Sequence, residues 1–262
     1  MLIFFSFIRI IEFYLTFLRI HMKLNFLTLL LLLFTNFVLA NDEEQPERKY
    51  KWSGTGQLGF TSTSGNSDTE NITAGLKIIL ETGKWISDVG LNVLRASSDG
   101  IDTADRFILN SKTGYKFNEK NYFYYGSRYE NDNFSGYDYT MTSGFGWGHK
   151  FHDSETNKLI TELGIGYKTE ALDVDRTETN GIALLGKLDY MKQLSESTSF
   201  ENLTILESTD DNTFIQNDAG FSFSINTKFK VKLAHQYRHN TDVPVGIDST
   251  DTLVSANLVY DF

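Results

Sequence analysis

The sequence predicts an all-β fold, a closed antiparallel transmembrane β-barrel of about 12 strands. Three observations predict it. From Trp52 onward, apolar and polar residues alternate with a period of two, the pattern of strands with one apolar and one polar face. The connections between these segments differ in length in a regular way, and the chain ends on an aromatic residue, Phe262. Together these features are typical of bacterial outer-membrane barrels.

The composition bounds the class of protein. The chain has 262 residues, of which 40% are hydrophobic, with only 2 Pro and no Cys, which favours a single domain. Without Cys there is neither a disulfide framework nor a thiolate site. The net charge of −10 argues against a nucleic-acid partner, because binding to phosphates needs a basic patch. No cofactor is expected.

The N-terminal segment has the pattern of an export signal. Met22 and the Lys after it precede an apolar run over residues 24–34, and polar residues begin at Asn41. A charged start, an apolar centre and small residues before the cut are typical of a secretory signal peptide. We predict that residues 1–40 are a signal peptide, removed by cleavage after Ala40.

The stretch before Met22 leaves alternatives open. It is apolar but interrupted by charged residues, among them Arg9 and Arg19, so Met22 is a candidate for the true start of the protein. A second alternative makes both apolar runs membrane helices, but a span needs about 20 apolar residues, and neither run reaches that length. After cleavage, residues 41–51 would form a short periplasmic lead-in and residues 52–262 the barrel.

Each barrel strand is predicted from its own alternation. Leu76 and Ile78, for example, share one face, and Lys77 lies on the other. A count of twelve strands agrees with the even numbers of single-chain bacterial barrels. The strands are predicted over residues 52–63, 70–81, 85–96, 106–117, 121–131, 139–151, 158–169, 181–193, 198–207, 213–225, 228–239 and 251–262. A soluble, lectin-like sandwich would alternate as well, because one face of each of its sheets is wet.

The connections favour the membrane alternative. Tight turns are predicted at residues 82–84, 118–120 and 226–228, and longer outer loops at the opposite ends of the strands, as in bacterial barrels. The outer connections together hold 16 acidic residues and one basic residue, Arg176; they span residues 64–69, 97–105, 131–138, 170–180, 207–212 and 240–251. Aromatic residues gather at the other strand ends, as in a girdle at headgroup level.

Two residues do not fit the apolar row. His235 lies between Leu233 and Tyr237 on the predicted lipid-facing side, and Asn202 is among the outward residues of the strand over 198–207. A β-bulge that reverses the alternation, or a covered position, would explain either residue. The sequence leaves both explanations open.

Several stretches carry a resemblance to a known family. They are the opening segment from Trp52 to Phe60 with its Gly65-Asn66-Ser67 turn, Tyr129 to Phe134, Gly144 to Gly148, Glu162 to Tyr167, and the final Tyr260-Asp261-Phe262. On these residues the chain resembles the family of salt-induced outer-membrane proteins, domain-of-unknown-function family 481 (YdiY-like), over most of residues 52–262. The resemblance implies an outer-membrane barrel and offers no catalytic residues to carry over.

The histidines of the predicted barrel give no catalytic or metal site. His149 and His152 are three residues apart on one strand, so their side chains point to opposite faces. His235 and His239 share a face but lie about 13 Å apart at roughly 3.3 Å per residue. We therefore expect neither a bound metal nor an enzyme. The alternative, a lipase or protease at the barrel rim, predicts activity that is lost when His235 or His239 is changed.

The acidic outer loops are interpreted first as a solvated surface. Pairs such as Asp173 and Asp175 offer oxygen ligands that suit Ca²⁺ or Mg²⁺, and in an alternative interpretation such ions bridge the loops to lipopolysaccharide phosphates. The expected partners are outer-membrane lipid, lipopolysaccharide and, through the C-terminal strand ending in Phe262, the barrel assembly machinery. The expected location is the bacterial outer membrane, reached through the periplasm.

The polar row inside the predicted barrel contains the candidate functional residues. They are Lys112, Lys116, Arg128, Lys187, Lys230, Lys232, Arg238, Glu130 and Glu162. Barrels of eight strands are filled by their side chains, and those of sixteen or more leave a channel, so twelve strands lie between. Charges that pair across the lumen would close it, whereas unpaired cations would line a narrow pore.

Two functions follow from these alternatives. The first is a narrow passive pore for small polar or anionic solutes. The other is a non-conducting envelope protein that contributes to osmotic or salt-stress tolerance. Conductance of the refolded barrel in a planar bilayer distinguishes them.

Overall fold

The structure is a computed structural model that describes residues 50–63 and 69–262. The predicted signal peptide, most of the lead-in and the Gly65-Asn66-Ser67 turn lie outside the described residues. The strands are β1 Tyr50–Thr63, β2 Thr69–Thr82, β3 Trp85–Ser98, β4 Ile101–Lys116, β5 Asn121–Asp132, β6 Tyr137–Asp153, β7 Asn157–Leu172, β8 Glu178–Gln193, β9 Thr198–Ser208, β10 Thr213–Ser224, β11 Phe229–Asn240 and β12 Thr250–Asp261. Within these residues, no helix is long and apolar enough to cross a membrane.

The twelve strands form one closed antiparallel barrel. Each strand pairs with its neighbour in sequence, and β12 pairs with β1. At the seam, the Phe262 N–H donates to the Gly54 carbonyl oxygen at 2.9 Å, and the Gly54 N–H donates to the Phe262 carbonyl oxygen at 2.8 Å. The seam pairs Thr55–Gly59 of β1 with Asn257–Asp261 of β12, so the first and last strands close the sheet toward the end of the barrel where the chain ends, as a sheet in hydrocarbon requires. The predicted fold class is confirmed.

The outer wall of the barrel is apolar. Leu58, Leu184 and Leu258 are 61%, 64% and 48% exposed. Such a continuous apolar surface is unusual in water but is the normal surface of a barrel in lipid. Aromatic pairs mark one rim: the rings of Trp85 and Tyr115 lie 5.0 Å apart. We call this rim, where the chain termini of the barrel and the tight turns lie, the turn end, and the opposite rim the loop end.

The connections at the loop end are shorter than predicted. The predicted loop at 97–105 shrinks to Asp99 and Gly100, because β3 continues to Ser98 and β4 begins at Ile101. Both turn residues have positive φ, 52° and 76°, as a two-residue hairpin turn requires. These strand segments project beyond the apolar belt, where both faces are wet, so no alternation in the sequence marks them as strand.

The longest described connection at the loop end, residues 241–249, folds over the mouth of the barrel. Gly136, in the turn between β5 and β6, lies against Pro244 and Ile247 of this connection, and an added Cβ would approach Ile247 Cγ1 to 2.9 Å. Gly136 also has a φ of 78°, which favours glycine. Connections from opposite sides of the ring therefore meet above the lumen.

Asn202 and His235, the two polar residues that interrupt the apolar row, lie on the outer wall of the barrel. β9, β10 and β11 pair with their neighbours without any register shift, and the shifts lie in the pairs β3–β4, β5–β6 and β6–β7. Asn202 and His235 therefore keep the parity of their outward neighbours, such as Leu233. The bulge explanation is excluded for both residues, which leaves a covered position.

Candidate functional site

The sequence predicts nine charged residues that line the lumen, and the structure places all nine on the inward-facing side of the barrel. Along each strand they alternate with the apolar residues of the outer wall. Each has an ionic partner within 4.0 Å. They fall into three groups along the lumen: a buried arginine cluster toward the loop end, a group around Glu162, and half-exposed pairs toward the turn end.

The arginine cluster consists of three guanidinium groups and three buried carboxylates, so its buried charges balance, and the exposed Asp251 carboxylate lies 3.6 Å from Arg106 Nη2 at its edge. Its members are Arg106, Arg128, Arg238, Glu130, Asp132 and Glu207. Arg106 Nε lies 2.5 Å from Asp132 Oδ2, and Arg238 Nη1 lies 3.2 Å from the same oxygen. Charge-assisted hydrogen bonds of this kind are about twice as strong as neutral ones.

Glu130 joins Arg238 to the third arginine of the cluster, Arg128. It accepts hydrogen bonds from Arg238 and from Arg128. Arg128 Nη1 in turn lies 3.7 Å from Glu207 Oε1, and Glu207 Oε2 accepts a hydrogen bond from Thr142 Oγ1 at 2.8 Å. The network thus runs across strands that are not neighbours in the sheet.

The cluster is packed around one aromatic ring. The guanidinium carbons of Arg128 and Arg238 each lie 5.0 Å from the centroid of Phe214, within range for cation–π attraction. Phe214 is 3% exposed, and Glu130 and Arg238 are 4% and 6% exposed. Water therefore has little access to this level of the lumen.

The cluster connects opposite walls of the barrel. Arg238 is on β11 and its carboxylate partners Glu130 and Asp132 are on β5. In a ring of twelve strands, β5 and β11 are six strands apart in either direction. Side chains from diametrically opposite strands therefore meet directly across the lumen at this level.

A second group is centred on Glu162, further toward the turn end. Glu162 Oε1 accepts hydrogen bonds from Lys112 Nζ and from Tyr122 Oη, each at 2.5 Å. Lys187 Nζ lies 4.0 Å from the other carboxylate oxygen, and Asp88 lies 3.6 Å from Lys112 Nζ. This group links β3, β4, β5, β7 and β8 on one side of the lumen and contains two cations, Lys112 and Lys187, and two carboxylates, Glu162 and Asp88.

Inward glycines make room for the tyrosines beside this group. A Cβ added to Gly146 would lie 2.7 Å from Tyr124 Cζ, and one added to Gly164 would lie 2.8 Å from the Tyr124 hydroxyl. The ring of Tyr122 occupies the corresponding space beside Gly148. The glycines of β6 and β7 therefore let bulky rings lie flat against the inner wall.

The pairs nearest the turn end are more accessible. Lys230 Nζ lies 2.6 Å from Asp261 Oδ2, and Lys232 Nζ lies 2.6 Å from Glu201 Oε2. The Lys230 and Lys232 side chains are 32% and 24% exposed. The lumen is therefore wetter at this end than at the arginine cluster.

The histidines are not assembled into a site. His149 Nδ1 lies 2.8 Å from Asn121 Oδ1, and His239 Nδ1 lies 2.9 Å from Thr250 Oγ1. Over residues 50–63 and 69–262, no three His, Asp or Glu side chains are placed to hold a metal ion.

The sequence of the barrel decides the family. Residues 56–262 match the family described as protein of unknown function, DUF481. The chain belongs to the DUF481 family. The resemblance noted from the sequence motifs is confirmed, since the match covers the same part of the chain.

Solved outer-membrane proteins share the fold of this DUF481 barrel at low identity. The NanC porin is 10% identical with a TM-score of 0.47, over 80% of this chain and 98% of its own. An outer-membrane channel from Pseudomonas putida F1 is 12% identical with a TM-score of 0.47, over 85% and 98%. The translocator domain of the autotransporter NalP from Neisseria meningitidis is 14% identical with a TM-score of 0.43, over 84% and 90%. These likenesses concern the fold alone. No curated protein matches the sequence.

The sequence alone does not identify three members of the site in this DUF481 barrel. Asp132 and Glu207 fall within the predicted acidic loops 131–138 and 207–212, but the structure places them in β5 and β9, facing arginines. Phe214 is apolar, and a polar lumen gives no reason to expect an apolar residue inside. Its position in the strand does indicate an inward side chain, because the next residue, Ile215, belongs to the outward row of β10.

Proposed function

We propose that the chain is an outer-membrane barrel whose lumen is closed at rest, and that it serves the tolerance of the cell envelope to osmotic or salt stress rather than acting as a standing open pore. The contact of Arg238 with Glu130 and Asp132 supports this most directly. A solute that crosses the lumen must separate side chains that join β11 to β5.

The energy of such a separation favours the closed state. Breaking a buried ion pair by removing one partner costs about 3–5 kcal/mol, and 1.4 kcal/mol corresponds to a factor of ten in population. Moving Arg238 away from Glu130 and Asp132 would likewise leave buried charges without their partners. We therefore expect an open lumen in no more than about one molecule in a hundred.

Planar-bilayer recording tests closure. The refolded mature barrel is inserted into a lipid bilayer, and its folding is verified by the gel mobility that shifts only after boiling. We expect no discrete conductance steps at moderate voltage. Frequent steps of uniform size from the unmodified protein would contradict the proposal.

The stress role needs a separate experiment in cells. A strain that lacks the protein is compared with its complemented parent during growth at raised salt and at equal osmolarity set by sucrose. We expect a growth defect that the wild-type gene restores. Absence of conductance steps together with unchanged growth of the strain that lacks the protein would support the closed lumen and contradict the stress role.

A narrow passive pore for small polar or anionic solutes is the second candidate. Half-exposed lysines such as Lys230 and Lys232 near the turn end favour it, because they would attract anions into the wet part of the lumen. In the described part of the chain, two buried polar atoms also lack a hydrogen-bond partner, Gln216 Oε1 and Arg238 Nε, so the closed packing is not fully satisfied. This candidate predicts conductance steps whose reversal potential in a salt gradient shows anion preference.

The surroundings of the barrel belong to the same proposal. We propose export through the periplasm, assembly by the barrel assembly machinery on the strand that ends in Phe262, and contact with outer-membrane lipid and lipopolysaccharide, without a nucleic-acid partner and without enzymatic activity. The acidic loops support binding of divalent ions between protein and lipopolysaccharide. The Thr177 N–H donates to Asp175 at 2.9 Å, and this hydrogen bond lowers the pKa of the exposed Asp175 carboxyl.

A further inference from the structure

Hydrogen-bonding side chains form a patch on the outer wall of the barrel, midway along β9, β10 and β11. The patch consists of Asn202, Thr204, Asn217 and His235, and we call it the amide patch. Each of these residues lies at least four residues from both ends of its strand, which is about 13 Å along the strand. This depth places the amide patch within the hydrocarbon of a bilayer whose core is about 30 Å thick.

Three members of the amide patch bind one another. Asn217 Nδ2 donates to Thr204 Oγ1 at 2.7 Å and to Asn202 Oδ1 at 3.3 Å. Asn202 Nδ2 donates to Asn217 Oδ1 at 3.2 Å, and Thr204 Oγ1 donates to Asn202 Oδ1 at 3.2 Å. A primary amide has two N–H donors and two acceptor lone pairs, so one N–H of Asn202 and one lone pair of Asn217 are not used by these hydrogen bonds.

His235 extends the patch across the next strand. It pairs with Ala219, while Asn217 pairs with Tyr237, so His235 and Asn217 are diagonal neighbours on one face. The His235 side chain is exposed, and among residues 50–63 and 69–262 its ring nitrogens have no hydrogen-bond partner. An unpaired imidazole N–H in hydrocarbon is strongly unfavourable.

Two hydroxyl pairs on the outer wall do not share this feature. Ser87 and Thr113 pair with each other at 3.1 Å, and Ser127 and Ser143 pair at 2.8 Å. These are hydroxyls, which satisfy one another across neighbouring strands. The amide patch is different because it combines larger polar groups with remaining hydrogen-bonding capacity.

We propose that the amide patch is the contact surface between two copies of this chain in the outer membrane. In a two-fold symmetric contact, the same patch faces itself. Amides suit such a contact because each carries both donors and an acceptor. The patch has no carboxylate, guanidinium or ammonium group, so bringing two copies together creates no like-charge repulsion.

The wall beside the amide patch offers space for a partner's side chains. A groove of about 360 Å³ lies around Gly186, which has no side chain to fill it, and its walls include Leu188 and Leu206. Thr204 lines this groove as well and belongs to the amide patch. Apolar packing in the groove and hydrogen bonds at the amide patch would then form one continuous interface, as membrane protein contacts combine them.

Disulfide cross-linking in cells tests this contact, because the natural chain has no Cys. Ala219 lies between Asn202 and His235 in the strand register, so Ala219→Cys places a thiol at the centre of the amide patch. Ser111→Cys is the matched control, since Ser111 is an exposed outward residue on β4, six strands from β10. Under mild oxidation of outer membranes, we expect a band of twice the chain mass for Ala219→Cys and at least tenfold less for Ser111→Cys.

A measurement without cysteine complements the cross-linking. Sedimentation in a mild detergent is expected to show a dimer for the wild-type barrel and at least a tenfold higher dissociation constant for Asn217→Leu combined with His235→Leu. Ser111→Leu is expected to leave the dissociation constant unchanged. A monomer in both experiments, equal cross-linking at Ser111, or a cross-linked product with another protein's mass would overturn the proposal. Monomers would mean that lipid alone covers the amide patch.

Discussion

Arg238 Nη1 lies 3.2 Å from Asp132 Oδ2, although the strands that carry them, β11 and β5, stand on opposite sides of the ring. Strand pairing cannot produce this contact, because it crosses the lumen. The interior at this level therefore resembles the packed core of a small domain, built from charged side chains. In such a network, each buried charge lies beside one of opposite sign, and the loss of one member leaves another without its partner.

Replacing Arg238 by leucine should lower the free energy of unfolding by about 3 kcal/mol, because Glu130 and Asp132 lose one of their cations in a buried site. Urea titration in detergent, with the folded gel mobility as readout, measures this loss. Lys230→Leu is the matched control. Its pair with Asp261 is about one-third exposed, so a loss of about 1 kcal/mol or less is expected. Equal losses in the two variants would contradict a special role of the arginine cluster.

Phe214→Ala should open a path through the arginine cluster, because it removes the ring between the guanidinium groups of Arg128 and Arg238. We expect conductance steps in planar bilayers that the wild-type barrel lacks. Stability should fall by about 3–5 kcal/mol, as for other buried aromatic residues. Phe221→Ala is the control, because Phe221 is on the outer wall and 45% exposed, and it should remain silent. Silence of both variants would show that the lumen is closed elsewhere.

Gly146→Ala should destabilise the barrel by about 1–3 kcal/mol, because the added methyl group would collide with the backbone carbonyl oxygen of Leu163 and would also lie 2.7 Å from Tyr124 Cζ. The readout is the temperature at which the folded gel mobility is lost. Gly56→Ala provides the comparison, since a Cβ at that position meets nothing within 4 Å, and its transition should stay within about 0.5 kcal/mol of the wild type. If Gly146→Ala were as stable as Gly56→Ala, the contacts of the added methyl group at position 146 would not limit the stability of the barrel.

Phe262→Ala should reduce assembly in cells more than folding in detergent. Phe262 packs against Trp52 with ring centroids 5.8 Å apart, but its backbone hydrogen bonds to Gly54 survive the change. The fraction of heat-shifted barrel in outer membranes should fall several-fold, whereas refolding of the purified chain in detergent should change little. Phe223→Ala, another exposed aromatic change on the outer wall, should leave the cellular fraction unchanged. Equal losses in cells and in detergent would point to stability rather than assembly.

The outer wall and the number of strands could be predicted from the sequence because hydrocarbon imposes a strict rule. Outward residues such as Leu76 and Leu258 must be apolar over the thickness of the membrane, and this makes a period of two visible. Strand segments that project beyond the membrane do not need an apolar outward row, so their sequence shows no such alternation. The start of β4 at Ile101 and the end of β7 at Leu172 therefore look like loop in the sequence.

The pairing inside the lumen could not be predicted. Parity indicates that Arg238 and Glu130 point inward, but whether they meet depends on the shape of the cross-section. That shape is set by all twelve strands together and leaves no local mark in the sequence. For the same reason Asp132, at the end of its strand, reads as one of many acidic loop residues until the structure places it beside Arg106.

The balance of three guanidinium groups against three carboxylates in the arginine cluster has an electrical consequence. A voltage exerts a net force only on net charge, so a Donnan potential across the membrane would pull the two halves of this cluster in opposite directions and displace it little as a whole. In the proposed closed state, opening would require Arg238 to separate from Glu130 and Asp132 and the connection over residues 241–249 to move away from Gly136. The electric field of the envelope would leave such a barrel shut.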